Sequence, residues 1–205
     1  MPLQNRVTPS GDIVALPGRG LFTGNRGVLH DDDRRIVRAW QTRRWIACLL
    51  DYKGIRRTLM TPRRWTELFF LDEAVALSAG HRPCAECRRD AYRRFQTLWI
   101  ARRGAPAGAN SMDEELHRHR LADRKKRTYR DDVARLPDGT FVTIDSTPWL
   151  VWDRGMYEWS DAGYRRRRDR PVRGDLEVLT PKPMVAILEA GYRPEVHPSA
   201  SKQAR

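Results

Sequence analysis

Apolar and polar positions alternate in short bursts along this chain, and turn residues separate the bursts. Residues 6–16 (RVTPSGDIVAL) predict two short strands around a Pro-Ser-Gly-Asp turn. Residues 17–30 (PGRGLFTGNRGVLH) carry four glycines and predict a shaped loop; no Gly-Lys-Ser/Thr ending makes it a phosphate loop. The acidic run Asp31–Asp33 suits the first turn of a helix through Ile36, Val37 and Trp40. Residues 44–52 (RWIACLLDY) predict a strand, with 55–60 (IRRTLM) as its hairpin partner across Lys53-Gly54. A short apolar run at 66–71 precedes a helix over 72–79 that Gly80 ends. Ala91, Phe95, Leu98 and Trp99 recur at i, i+4, i+7 and i+8, which predicts an amphipathic helix from Arg89 to Arg103.

Residues 104–111 (GAPAGANS) read as a linker. A polar helix follows, with Met112, Leu116 and Leu121 on its apolar side, and its pattern runs on into ADRKKRTYRDD. Strands are predicted at 140–144, 148–152, 156–159 and 175–179, then a helix at 182–190 entered through Thr180-Pro181 and closed by Gly191. The fold class is therefore α+β in two small halves: 1–103, a linker at 104–111, and 112–205.

Composition narrows the class. The chain has 205 residues, 40% hydrophobic and 32% charged, with no apolar run near the ~18–20 residues of a membrane span. The expectation is a cytoplasmic protein without a signal peptide and without a membrane partner. Lys and Arg total 39 against 26 Asp and Glu, a net charge of +13, and Arg outnumbers Lys 34 to 5. Such a surface attracts phosphate polymers through counterion release, so DNA is the expected partner. A GC-rich coding sequence also inflates Arg.

Three cysteines, an odd number, argue against a disulfide framework. Cys84-Ala-Glu-Cys87 lies on a turn entering a helix, where backbone N–H groups help hold two thiolates on one metal. A thioredoxin-type redox pair would require a preceding strand, and here a helix and Gly80 precede. A structural zinc takes four ligands. Cys48, on a predicted strand, is the third, and His30 is the natural fourth, with His81, His117 and His119 competing for that place. The reading is a Zn2+ site of His30, Cys48, Cys84 and Cys87.

The stretch 69–90 (FFLDEAVALSAGHRPCAECRRD) resembles the metal-binding domain of the Ada DNA-repair family, through Glu73, Ala74, Ala79, Gly80, Arg82, Pro83, Cys84, Cys87 and Arg88. His81 stands where that family has an aromatic residue. Residues 22–30 are more faintly similar to the strand carrying the first ligand. The resemblance implies an Ada-like, zinc-stabilised first half that binds DNA in repair or defence. In that family four cysteines hold zinc and one accepts a methyl group from a DNA phosphotriester. With three cysteines this chain departs from the pattern, and a His30 ligand would remove the acceptor thiolate.

Arg82, Arg88 and Arg89 beside the CxxC, and Arg165, Arg166, Arg167 and Arg168 on what reads as a long loop, are the expected phosphate contacts, with Tyr164 and Trp159 near enough to stack on bases. Trp45, Trp65, Trp149 and Trp152 read as core. An enzymatic alternative is a metal-dependent nuclease using His30, Asp31 and His117. His117 and His119, two apart on one helix, diverge by about 200° and cannot share a metal there. A third class is a protein-interaction adaptor with structural zinc.

Overall fold

A computed structural model describes residues 1–55 and 58–202. The chain is mixed α+β, built on two six-stranded sheets. The first contains β1 (Gln4–Val7), β2 (Ile13–Ala15), β3 (Phe22–Asn25), β4 (Ile46–Leu49), β5 (Leu68–Phe70) and β6 (Arg82–Pro83), in the order β2-β1-β5-β3-β4-β6. Pairing is antiparallel except for β1 with β5 and β4 with β6. β6 is an edge strand, and its sequence suits that place. Arg82 N–H donates to Trp45 O (3.1 Å) and Cys84 N–H to Ala47 O (2.9 Å). The residue between them, Pro83, has no N–H and falls where the donor would face outward.

The second sheet contains β9 (Tyr129–Asp132), β10 (Phe141–Ile144), β11 (Thr147–Trp152), β12 (Gly155–Ser160), β13 (Gly163–Asp169) and β14 (Asp175–Val178), in the order β13-β12-β11-β10-β14-β9. A separate small hairpin joins β7 (Leu121–Ala122) to β8 (Lys125–Lys126). The period of two decides the packing. Phe141, Leu150 and Tyr157 are cross-strand neighbours on one face, and Val142, Trp149 and Val178 on the other. The first set joins Val7, Phe22, Leu68, Phe70 and Val75 in one core, and the second packs with Val133, Leu136, Val151 and Met156. The segments on either side of residues 104–111 therefore share a core and do not bury separate ones.

The helices form a third cluster. α1 (Glu73–Ser78) is capped by Asp72, which accepts from Val75 N–H (2.9 Å). It ends through Gly80, whose φ of +87° and close approach to Arg120 admit no side chain; a Cβ would sit 2.8 Å from Arg120 Cδ. α2 (Arg89–Arg103) buries Ala91, Phe95 and Trp99, the face its periodicity predicts, and stops at the left-handed Gly104. α3 (Ala109–Arg120) and α4 (Lys182–Glu189) complete the cluster with Met112, Leu116, Met184, Ile187 and Leu188. A short α5 (Ser199–Lys202) packs against β13. Among the described residues no helix is long and apolar enough to cross a membrane.

Several expectations are corrected. No helix follows Asp31: its carboxylate accepts from Asp33 N–H (3.0 Å) and Arg35 N–H (2.9 Å), closing a turn that returns Ile36 to a bridge with His30. The glycine-rich segment contains β3. The helix after the linker stops at Arg120, and the charged stretch beyond it forms β7, β8 and β9. Arg165–Arg168 are not in a loop but in β13, where Tyr157 pairs with Arg167 and Met156 with Arg168. The partner expected for the 44–52 strand includes Arg56 and Arg57, which lie outside the described residues; β4 pairs instead with β3 and β6. Trp45 and Trp149 are in the core, Trp152 is partly buried, and Trp65 is 42% exposed.

Candidate metal centre

The sheet order brings the three cysteines together. Cys48 lies on β4, opposite Thr23 of β3. β6 runs alongside β4, so the chain leaves β6 at Cys84 directly beside Cys48. The turn over 84–88 then places Cys87 next to them before α2 begins. The three sulfurs lie within 4.8 Å of one another. All three cysteines are free thiols; Cys84 is buried, Cys48 and Cys87 half-buried.

The surroundings favour thiolate at Cys84, while the pKa values of Cys48 and Cys87 are both raised. The backbone N–H groups of Cys87 and Glu86 point at Cys84, and that of Leu49 at Cys87. Hydrogen bonds from Cys48 and then Cys87, reinforced by those amides, draw the Cys84 pKa far down. Cys48 moves the opposite way: its hydrogen bonds to Cys84 and Cys87, and then burial, push its pKa up, so in the metal-free chain it keeps the proton. The donor set fits a tetrahedral ion, because zinc–sulfur bonds of about 2.3 Å place thiolates about 3.8 Å apart.

His30 is not in this group. Its Nδ1 lies 2.6 Å from Thr66 Oγ1 and its Nε2 3.2 Å from Thr61 O, so both ring nitrogens are engaged elsewhere. Among the described residues, the ligand-rich group whose atoms approach one another within 4.8 Å is Cys48, Cys84 and Cys87, with no histidine or carboxylate in it. His81 is fully buried against Phe70 and Trp45. His117 packs on Trp40, with ring centroids 4.5 Å apart, and Asp31 caps its own turn. The nuclease grouping of His30, Asp31 and His117 is thus not assembled into one ligand cluster.

The arginines near the CxxC divide. Arg82 is buried in a two-pronged pair with Asp113 (2.9 and 2.7 Å), and Arg88 is buried against Glu73 (2.9 Å). Neither faces solvent, so both leave the set of phosphate contacts, whereas Arg89 is exposed. Arg165, Arg166, Arg167 and Arg168 are all exposed on β13. The guanidinium carbons of Arg166 and Arg168 lie 6.0 and 5.7 Å from the Trp149 ring centroid. Arg166 also pairs with Glu158, and Arg167 with Asp169.

Burial, and then Arg120 and Arg43, push the His117 pKa down to about 4 from 6.5. A depressed folded-state pKa contributes stability that is present above 6.5 and lost as pH falls toward 4. Urea unfolding of wild type and His117→Gln should therefore show the wild-type advantage shrinking between pH 7.5 and pH 5; a constant difference would contradict the shift. Comparison with family models, curated proteins and solved structures gives no match.

Proposed function

We propose that this protein binds one zinc ion through the thiolates of Cys48, Cys84 and Cys87, with the fourth position taken by a ligand from outside the trio. The single observation behind this is the convergence of three sulfurs from a strand and an adjoining turn within 4.8 Å. Soft thiolate donors select zinc among the common divalent ions, and a set of three protein ligands leaves a coordination position open to water or a substrate atom. The resemblance of residues 69–90 to the Ada metal-binding domain points the same way. Cobalt(II) added to metal-free, reduced protein should give an intense sulfur-to-cobalt charge-transfer band and the visible bands of a tetrahedral site. Cys84→Ser should lose most of that intensity. A pink, octahedral spectrum would sink the reading.

The exposed arginines of β13, set against Trp149, favour a second reading in which this edge of the second sheet contacts DNA. Duplex affinity should then fall steeply with salt, at about 0.9 log units per log unit for each phosphate neutralised. Replacing Arg165 and Arg168 by Gln should reduce that slope by roughly one to two. Salt-insensitive binding, or an unchanged slope, would count against it.

A further inference from the structure

We propose that the buried guanidiniums Arg26 and Arg120, stacked on Trp45 beneath residues 37–43, and the half-buried Lys126 form a binding site for a phosphate-class oxyanion. Arg26 and Arg120 are 2% and 0% exposed, and their guanidinium carbons lie 4.0 and 4.1 Å from the Trp45 ring centroid. Lys126 projects from the β7–β8 hairpin onto Ser78 O. Among the described residues none of the three has a carboxylate within ion-pair distance. The nearest buried carboxylate, Asp113, is taken by Arg82. Asp12, on the exposed turn after β1, is the other acidic group that Arg26 and Lys126 sense.

The donors are under-used as well as under-neutralised. Arg26 Nε donates to His81 Nε2 at 3.1 Å, and Nη1 reaches Ala39 O only at 3.4 Å. Arg120 Nη1 donates to Gly80 O at 2.7 Å, and its Nη2 serves Arg43 O, with His117 Nδ1 (3.3 Å) and Asp113 O (3.4 Å) also within reach. Arg26 Nη2 and Arg120 Nε are buried without a partner among the described residues, whereas His81 Nδ1 faces Ala76 O. Because His81 Nε2 accepts from Arg26, the neutral ring carries its proton on Nδ1, toward Ala76 O, and the two orphans are guanidinium N–H donors. Two buried orphan donors among three cations that lack an ion-paired carboxylate are costly without an anion. A phosphate, with between one and two negative charges at neutral pH and several acceptor oxygens, meets both needs. Burial, and then mutual repulsion, lower Lys126 to about 7, while burial takes Arg26 and Arg120 to about 9 each.

The open space nearby follows the segment whose Ala39 O accepts from Arg26, and none of the three cations is among the residues that line it. An open cavity of about 520 Å³ is lined by Val37, Arg38, Ala39, Trp40, Gln41 and Arg124. Ala39 O is the acceptor of Arg26, and Arg124 sits two residues before Lys126 on the same hairpin. The phosphate could belong to a small free ester or to a nucleic-acid backbone, and the chemistry recognised is the same.

The test is thermal melting of the full-length, metal-replete protein in sodium phosphate against sodium chloride at constant ionic strength. Phosphate should stabilise wild type in a saturable manner. Lys126→Gln should weaken the affinity about tenfold or more, the worth of one charged hydrogen bond, and Lys126→Arg should restore part of it. Metal content should be the same in all three, which separates this site from the cysteine centre. Competition between phosphate and a short oligonucleotide would assign the site to a nucleic-acid phosphate, and absence of competition to a small ester. Identical melting of wild type in the two salts, or equal phosphate affinity in wild type and Lys126→Gln, would overturn the proposal and leave the cluster as internal scaffolding.

Discussion

Replacing Asp113 by alanine should lower unfolding stability by about 3–5 kcal/mol, the range for breaking a buried pair by removing one partner. Both side chains are nearly inaccessible, at 2% for Arg82 and 5% for Asp113. The bond is two-pronged, and the remaining Arg82 donor is on Pro83 O at 3.0 Å. Alanine would leave a bare guanidinium beside Arg120, which among the described residues has no ion-paired carboxylate and senses the charge of Asp113 itself. The consequence extends to function, because Arg82 sits on β6, two residues before Cys84. A loosened β6 would displace Cys84 from Cys48, so metal affinity should fall together with stability. Equilibrium urea unfolding provides the check, with Glu189→Ala as a surface control. That residue's pair with Arg102 is half exposed (51% and 61%) and should cost under about 1 kcal/mol. A loss for Asp113→Ala no larger than the control would contradict the account.

Glu73→Ala should be comparably severe, again about 3–5 kcal/mol, for a reason that crosses the whole chain. Its carboxylate accepts from Arg88 Nη2 (2.9 Å), from Tyr192 Oη–H (2.6 Å) and from Glu195 N–H (2.9 Å). One side chain at the start of α1 thus fixes the approach to α2 and ties down the segment after α4. Removing it strands one buried cation and two neutral donors. Tyr192→Phe takes away only one neutral bond and should cost about 1 kcal/mol. If the two variants unfold at the same denaturant concentration, the Arg88 pair contributes nothing and the argument fails. Asp72 does parallel work beside it, accepting from Tyr164 Oη–H (2.7 Å) and His197 N–H (3.0 Å) while capping α1. Adjacent carboxylates on one short helix therefore staple the C-terminal segment to the first sheet.

These two residues also show what could be read from the chain before its fold was known. Helix α2 was legible because Ala91, Phe95 and Trp99 repeat at helical spacing and Gly104 supplies the left-handed stop. The cysteine trio was legible because a CxxC on a turn entering a helix has one obvious use, and Cys48 sits in an apolar strand. Charge was not legible in the same way. Arg82 and Arg88 look like phosphate contacts in a basic sequence, yet their partners Asp113 and Glu73 are 31 and 15 residues away and nothing local names them. β13 was missed because Arg165–Arg168 are exposed on both faces of an edge strand, so no apolar alternation marks it. His30 failed as a ligand for a geometric reason: Thr66 and Thr61 occupy both its nitrogens. The expected division at residues 104–111 overlooked that Phe141, Leu150 and Tyr157 complete the same core as Phe22 and Phe70.

Metal per chain, measured by native mass spectrometry on freshly purified, reduced wild type, Cys48→Ser and His30→Ala, tests the central claim most directly. The account predicts one zinc in wild type, a loss in Cys48→Ser, and one zinc retained in folded His30→Ala. Zinc-free wild type, or a His30→Ala variant that loses the metal as Cys48→Ser does, would contradict a centre built on the three cysteines alone.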